Sequence, residues 1–168
     1  AAVIVVGYSY TKRFTWGSHF ILGLADGIAP IGGWLAVTGA FDLVAILLGL
    51  ALVFWIGGFD IIYACQDVDF DRRAGLKSIP AGFGIARALR VSAVTHAITV
   101  ALLVLVGLLA GLSPVYYVGV AIAAALLVYE HRLVSPDDLS RLGVAFFNVN
   151  GYIAVIVFLF TLGAVIVG

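Results

Sequence analysis

Asp60, Asp67, Asp69 and Asp71 crowd into one short stretch, and Arg72, Arg73 and Lys77 follow at once. Acids this dense in an apolar chain have little use except to hold divalent cations, and adjacent bases suit an anionic ligand that arrives with those cations. Diphosphate chemistry at a membrane surface uses both. Helical spacing decides which acids cooperate: Asp60, Tyr63 or Ala64, Asp67 and Asp71 recur at three- and four-residue steps and share one face. Asp69 stands about 200° from Asp67 on a helix and is expected to face elsewhere. Like charges four apart repel in a bare helix. A hard cation such as Mg²⁺, bound by one or two carboxylates plus phosphate oxygens, reverses that cost. A solvated acidic helix end balanced by Arg72 and Arg73 is the plainer alternative. Against it, Asp60 lies two further turns inside the span, where an ionised acid is expensive and usually functional.

The elements that must position these acids are membrane helices. Of the 168 residues 64% are hydrophobic and 11% charged, with mean hydropathy +1.20. Soluble domains carry about twice that share of charge, so the chain is expected to be an integral protein of the lipid bilayer. The one cysteine, Cys65, excludes an internal disulfide. There is no methionine, residue 1 is Ala, and no cleavable leader is visible, so the chain is expected to be a fragment or a processed product.

Five apolar segments, near 18–38, 42–64, 88–112, 114–132 and 144–168, are each long enough to cross a bilayer. Lipid forces them to be helices, so the fold class is an all-α transmembrane bundle. Residues 1–7 read as the remnant of a sixth helix. Ser113-Pro114 opens the fourth span, and Ser135-Pro136-Asp137-Asp138 is expected to start a short interfacial helix. If the spans alternate, the connections near 8–17, 65–88 and 131–143 share one side. All nine basic residues fall there or in the adjoining turns. The positive-inside rule makes that side cytoplasmic, most simply in a bacterial inner membrane.

Asp60-x-x-Tyr63-Ala-x-x-Asp67-x-x-x-Asp71-x-x-x-Gly75-x-x-Ser78 resembles the second aspartate-rich motif of the UbiA superfamily of membrane prenyltransferases. Tyr8-x-Tyr10-Thr11-Lys12-Arg13-Phe14-Thr15 is similar to the basic loop before that family's fifth span. Tyr129-Glu130-His131-Arg132 and Phe146-Phe147-Asn148-x-Asn150-Gly151 resemble the 4-hydroxybenzoate and menaquinone-pathway branches. The resemblance covers essentially the whole chain. It implies nine helices around a cavity and a first motif, Asn-Asp-x-x-Asp-x-x-x-Asp, which is not in this sequence; the chain alone is therefore expected to be inactive. It also implies transfer of a polyprenyl group from polyprenyl diphosphate to an aromatic acceptor, with Mg²⁺ as cofactor. Asp67 and Asp71 are then the metal ligands. Asp60, deeper, serves the acceptor or supports the ligands. Lys12, Arg13 and Lys77 are the expected clamps on the diphosphate, with one of Lys12 and Arg13 expected there rather than both, and Arg72 beside them.

Tyr63, Arg72, Asp26 and Asn148 are assigned to the substrates. Asp26 sits in mid-span beside Gly27 and Pro30, where it either lines an acceptor pocket or makes a structural hydrogen bond. Asn148 and Asn150 are expected to bond across helices, with only one facing the cavity. His19, His96 and His131 lack metal-ligand spacing and read as packing or interfacial residues. Gly23-x-x-x-Gly27 and Gly107-x-x-x-Gly111 read as close helix packing. No nucleic-acid partner is expected. The rivals are a transporter, which would show broken helices and a repeat, a CDP-alcohol phosphotransferase, whose glycine precedes its last acid pair, and a non-catalytic membrane protein with a cytoplasmic-face cation site.

Overall fold

The computed structural model describes residues 2–168; Ala1, the first residue of the expected helix remnant, lies outside them. The chain is an integral membrane bundle of helices: α1 (Ala2–Thr11), α2 (Ser18–Thr38), α3 (Leu43–Ala64), α4 (Val68–Arg73), α5 (Ile79–Phe83), α6 (Ile85–Leu109), α7 (Pro114–Arg132) and α8 (Asn150–Val167). Five of them, with α4 continuing α3, are long and apolar enough to cross a bilayer. No strand forms among the described residues.

Local chemistry sets the ends. Gly39, at φ +73°, closes α2 with its N–H on the Leu35 carbonyl, and the Asp42 carboxylate accepts the Val44 amide at 2.7 Å to open α3. Between these helices a Cβ on Gly27 would meet the Gly49 carbonyl oxygen at 2.6 Å, and one on Gly49 would meet the Gly27 oxygen equally closely. Bare backbone is what lets α2 and α3 touch. Gly107 behaves likewise against the Tyr116 ring, but Gly111 does not pack: at φ +62° it turns the chain after α6. That turn, with Gly84 at φ +85° before Ile85, also moves the third span from the expected 88–112 to 85–109.

The expected interfacial helix after Ser135 does not form. Ser135 and Asp138 exchange backbone hydrogen bonds (2.9 and 3.2 Å), and the Asp138 carboxylate accepts the Ser140 amide at 2.9 Å. Both capping side chains are spent inside a tight turn, and the Ser140 hydrogen bonds hold Asp138 below the usual carboxylate range.

The basic loop and the acid connection meet at one end of the bundle: the Lys77 amide donates to the Lys12 carbonyl at 2.5 Å. Leu133, Val134 and Leu142 of the later connection share a buried cluster there with Ile61, Ile62 and Ile79. The 65–88 and 131–143 connections therefore lie on the same side.

Candidate functional site

Past Ala64 the third span does not run on as a regular helix. Cys65–Asp67 tighten into a 3₁₀ turn before α4 resumes. The inward face survives this change: Asp71 is 2% exposed, while Asp69 points to solvent. A cavity of about 260 Å³ opens here, lined by Tyr8, Lys12, Ser18, Asp60, Tyr63 and Asp67 among others. Two acids from the motif and one base from the α1–α2 loop thus face one volume. Beside it Asp71 Oδ2 lies 3.7 Å from Lys12 Nζ and has no hydrogen-bond partner. The Tyr63 ring is held 4.2 Å from that of Phe146.

Hard carboxylate oxygens, one of them buried and short of a partner, are suitable donors for Mg²⁺. Among the described residues no group of three or more His, Cys, Asp or Glu side chains is arranged to enclose a metal. The fit is therefore to a cation that takes its remaining ligands from phosphate and water, as Mg²⁺ does.

The other assigned residues do not converge on the cavity. Lys77 Nζ donates to the Phe14 carbonyl at 3.2 Å and lies 5.4 Å over the Trp16 ring, so it ties down the basic loop. Arg13 is exposed and stacks 5.7 Å over Tyr10, which leaves Lys12 as the one base of the pair at the acids. Arg72 is exposed, with Nε on the Ala81 carbonyl at 3.0 Å, a brace to α5. Asp26 is exposed on α2, one turn beyond Leu22 of the cavity wall.

Asn148 is exposed and Asn150 takes the inward place. Val144–Val149 wind as a π-helical turn, which shifts the phase of all that follows. Asn150 Nδ2 donates to the Ala145 and Phe146 carbonyls and to Glu130 Oε1 at 3.0 Å, while Trp55 Nε1 donates to Asn150 Oδ1 at 2.8 Å. His96 adjoins the same cluster, with Nδ1 3.0 Å from His131 Nε2 and Nε2 3.2 Å from the Trp55 carbonyl. One turn further along these helices a second cavity of about 430 Å³ is walled by apolar side chains such as Leu48, Leu103, Leu127 and Phe158.

Two residues at the acid cavity escape sequence reasoning. His19 is wholly buried, with Nδ1 2.6 Å from Asp60 Oδ2, and the Ser18 hydroxyl is a buried, unpartnered wall of the cavity. His19 and Asp60 are 41 positions apart in sequence, and nothing local signals their pairing.

A family model described as "UbiA prenyltransferase family" matches residues 1–166. A "4-hydroxybenzoate octaprenyltransferase" of Aromatoleum aromaticum is 34% identical over 158 residues, 94% of this chain and 53% of that protein. One of Alkalilimnicola ehrlichii is 36% identical over 95% of the chain and 54% of its own length. A solved structure, the apo form of a UbiA homolog from Aeropyrum pernix K1, superposes with a TM-score of 0.82 at 32% identity, covering 94% of this chain and 59% of that one. The chain spans about half the length of the curated relatives it matches.

Proposed function

The chain belongs to the UbiA prenyltransferase family, and we propose that its acid cavity holds the diphosphate of a polyprenyl diphosphate while the prenyl group passes to an aromatic acceptor, a 4-hydroxybenzoate-like or naphthoate-like ring in quinone biosynthesis. The observation that carries this reading is the meeting of Asp60 from α3, Asp67 from the turn after it and Lys12 from the α1–α2 loop on one cavity, with the buried Asp71 beside it. The names of the relatives support a prenyl group as the part transferred and a 4-hydroxybenzoate-like ring as the acceptor.

Asp67 and Asp71 would hold Mg²⁺, which when bound neutralises the diphosphate and eases its departure. Lys12 adds a charge-assisted hydrogen bond to the same oxygens. The allylic C–O bond breaks with its electron pair leaving on diphosphate. A ring carbon forms the new C–C bond, and its proton is released. The Tyr63 ring, stacked on Phe146, flanks the position of the allylic cation on this reading. The one-sided placement of the bases supports a cavity on the cytoplasmic side, which on this reading is that of a bacterial inner membrane.

Because the chain spans about half of its relatives, donor binding is the step to measure. In lipid nanodiscs, farnesyl S-thiolodiphosphate is expected to bind saturably only with Mg²⁺, and not to the Asp67→Ala variant. Binding that ignores both Mg²⁺ and Asp67 would overturn the reading.

A further inference from the structure

Trp16, Lys77 and Gly82 meet at the edge of the acid site, and none of the three lines its cavity. Their junction ties the α1–α2 loop to the connection that follows the acids. The seam is a backbone bond, the Lys77 amide on the Lys12 carbonyl at 2.5 Å. Beside it the Lys77 ammonium donates to the Phe14 carbonyl at 3.2 Å and lies 5.4 Å from the centre of the Trp16 ring. The edge of that indole rests on Gly82 of α5, where a Cβ would meet Trp16 Nε1 at 2.5 Å and Cδ1 at 3.0 Å. Phe83 packs on the same indole, with ring centroids 5.6 Å apart. Arg72, bonded to the Ala81 carbonyl, braces α5 in turn to the acid-bearing α4.

Trp16 is half-exposed, so directional contacts rather than burial hold it: an ammonium over the ring and bare backbone under its edge. What they hold is the loop that begins at Lys12. Lys12 Nζ stands 3.7 Å from Asp71 Oδ2, beyond hydrogen-bond distance, so that pair does not fix its direction. A lysine on a flexible four-carbon stem reaches the acids only as its backbone is placed.

Resting on the donor reading above, we propose that Trp16, Lys77 and Gly82 form a latch that aims Lys12 into the acid cavity. They are positioning residues for the diphosphate and do not touch it. With the loop pinned, the Lys12 ammonium is confined to the cavity wall before a ligand arrives, and less ordering remains to be done on binding. Lys77 is the pin, its charge spent on a carbonyl and a ring. Gly82 is the seat, since any side chain there displaces the indole.

The test is a double-mutant cycle read as the Kd of farnesyl S-thiolodiphosphate with Mg²⁺, on the whole chain in nanodiscs. Trp16→Leu and Gly82→Ala change neither a charge nor a cavity wall, so each can alter the affinity of an anion only by moving another group. Both are expected to weaken binding about three- to tenfold, bounded by the loss at Lys12→Ala. In the Lys12→Ala background neither should weaken it further. Lys77→Arg, which can still donate to Phe14 and stack on Trp16, should stay within about twofold of the parent, whereas Lys77→Met should follow Trp16→Leu. A merely structural junction would lower thermal stability and leave the Kd of the folded protein alone. Unchanged affinity in both Trp16→Leu and Gly82→Ala therefore overturns the latch, as do losses that add in full to that of Lys12→Ala. A nitroxide on Arg13→Cys, a surface position beside Lys12, reads the loop with no ligand present; the native Cys65 is buried. Its motion should quicken in Trp16→Leu and Gly82→Ala, and an unchanged spectrum in both overturns the latch. Absence of Mg²⁺-dependent binding in the parent strikes the donor reading, and the spectrum alone then decides the latch.

Discussion

The acid cavity and the cluster around Asn150 are both polar islands in one apolar bundle, and they are built in opposite ways. In the cluster, Asn150, Trp55, His96 and His131 bond to one another, to Glu130 and to nearby backbone; the one buried side-chain polar atom there without a hydrogen bond is Glu130 Oε2, 3.8 Å from His96 Nδ1. At the cavity, Ser18 Oγ and Asp71 Oδ2 have no hydrogen bond, and Asp60 and Asp67 face open volume. Polar groups that face each other across helices hold a bundle together, whereas polar groups left facing a cavity are positioned for something that arrives. Titratable residues alone would not separate the two regions. Their partners do.

The contrast breaks most decisively at the proposed metal ligands. Asp67→Ala and Asp71→Ala are expected to weaken Mg²⁺-dependent thiolodiphosphate binding by more than about 100-fold, beyond the loss typical of residues that only support a ligand. The same titration on Asp69→Ala, whose side chain faces solvent, should stay within about threefold of the parent. Equal losses at all three positions would erase the distinction between the inner and outer faces of α4.

Asn150→Leu probes the other region. It removes the donor to Glu130 and the acceptor for Trp55, and should cost about 2–4 kcal/mol of stability. Thermal unfolding in detergent would register that loss, while the Kd of the thiolodiphosphate for the folded protein should not move. A variant that keeps its stability and loses the ligand would reverse the roles assigned to the two islands.

Lys12→Ala should weaken the thiolodiphosphate by about tenfold through loss of one charge-assisted contact. Arg13→Ala, whose guanidinium stacks on Tyr10 at the surface, should change it by less than about twofold. The pair is adjacent in sequence, so the ratio of the two effects measures side-chain direction with long-range charge nearly constant.

The features legible in the sequence are those set by period and by charge. Five spans, a shared side for the bases, and one face for Asp60, Tyr63 and Asp67 all follow from helical geometry and from the needs of backbone in lipid. Hidden features depend on events between elements. The π-helical turn at Val144–Val149 rotates Asn150 inward and leaves Asn148 outside, and no count of residues in a regular helix foresees that. Lys77 and Arg72 read as clamps by charge, yet backbone carbonyls of Phe14 and Ala81 capture them. The serine and aspartate at 135–138 match a helix start in type and spacing but satisfy one another in a turn. His19 is the sharpest case, since its meaning rests on a distant carboxylate and on the Ile79 amide.

The account turns on whether Asp67 and Asp71 bring a divalent cation to a diphosphate. Mn²⁺ substituted for Mg²⁺ makes that contact visible by electron–nuclear double resonance, because phosphorus couples to the metal only when a phosphate oxygen is bound to it. With farnesyl S-thiolodiphosphate present, the chain should show ³¹P coupling to Mn²⁺ that disappears in the Asp67→Ala/Asp71→Ala double variant. Absence of that coupling in the parent chain, or its persistence at full strength in the double variant, would contradict the assignment.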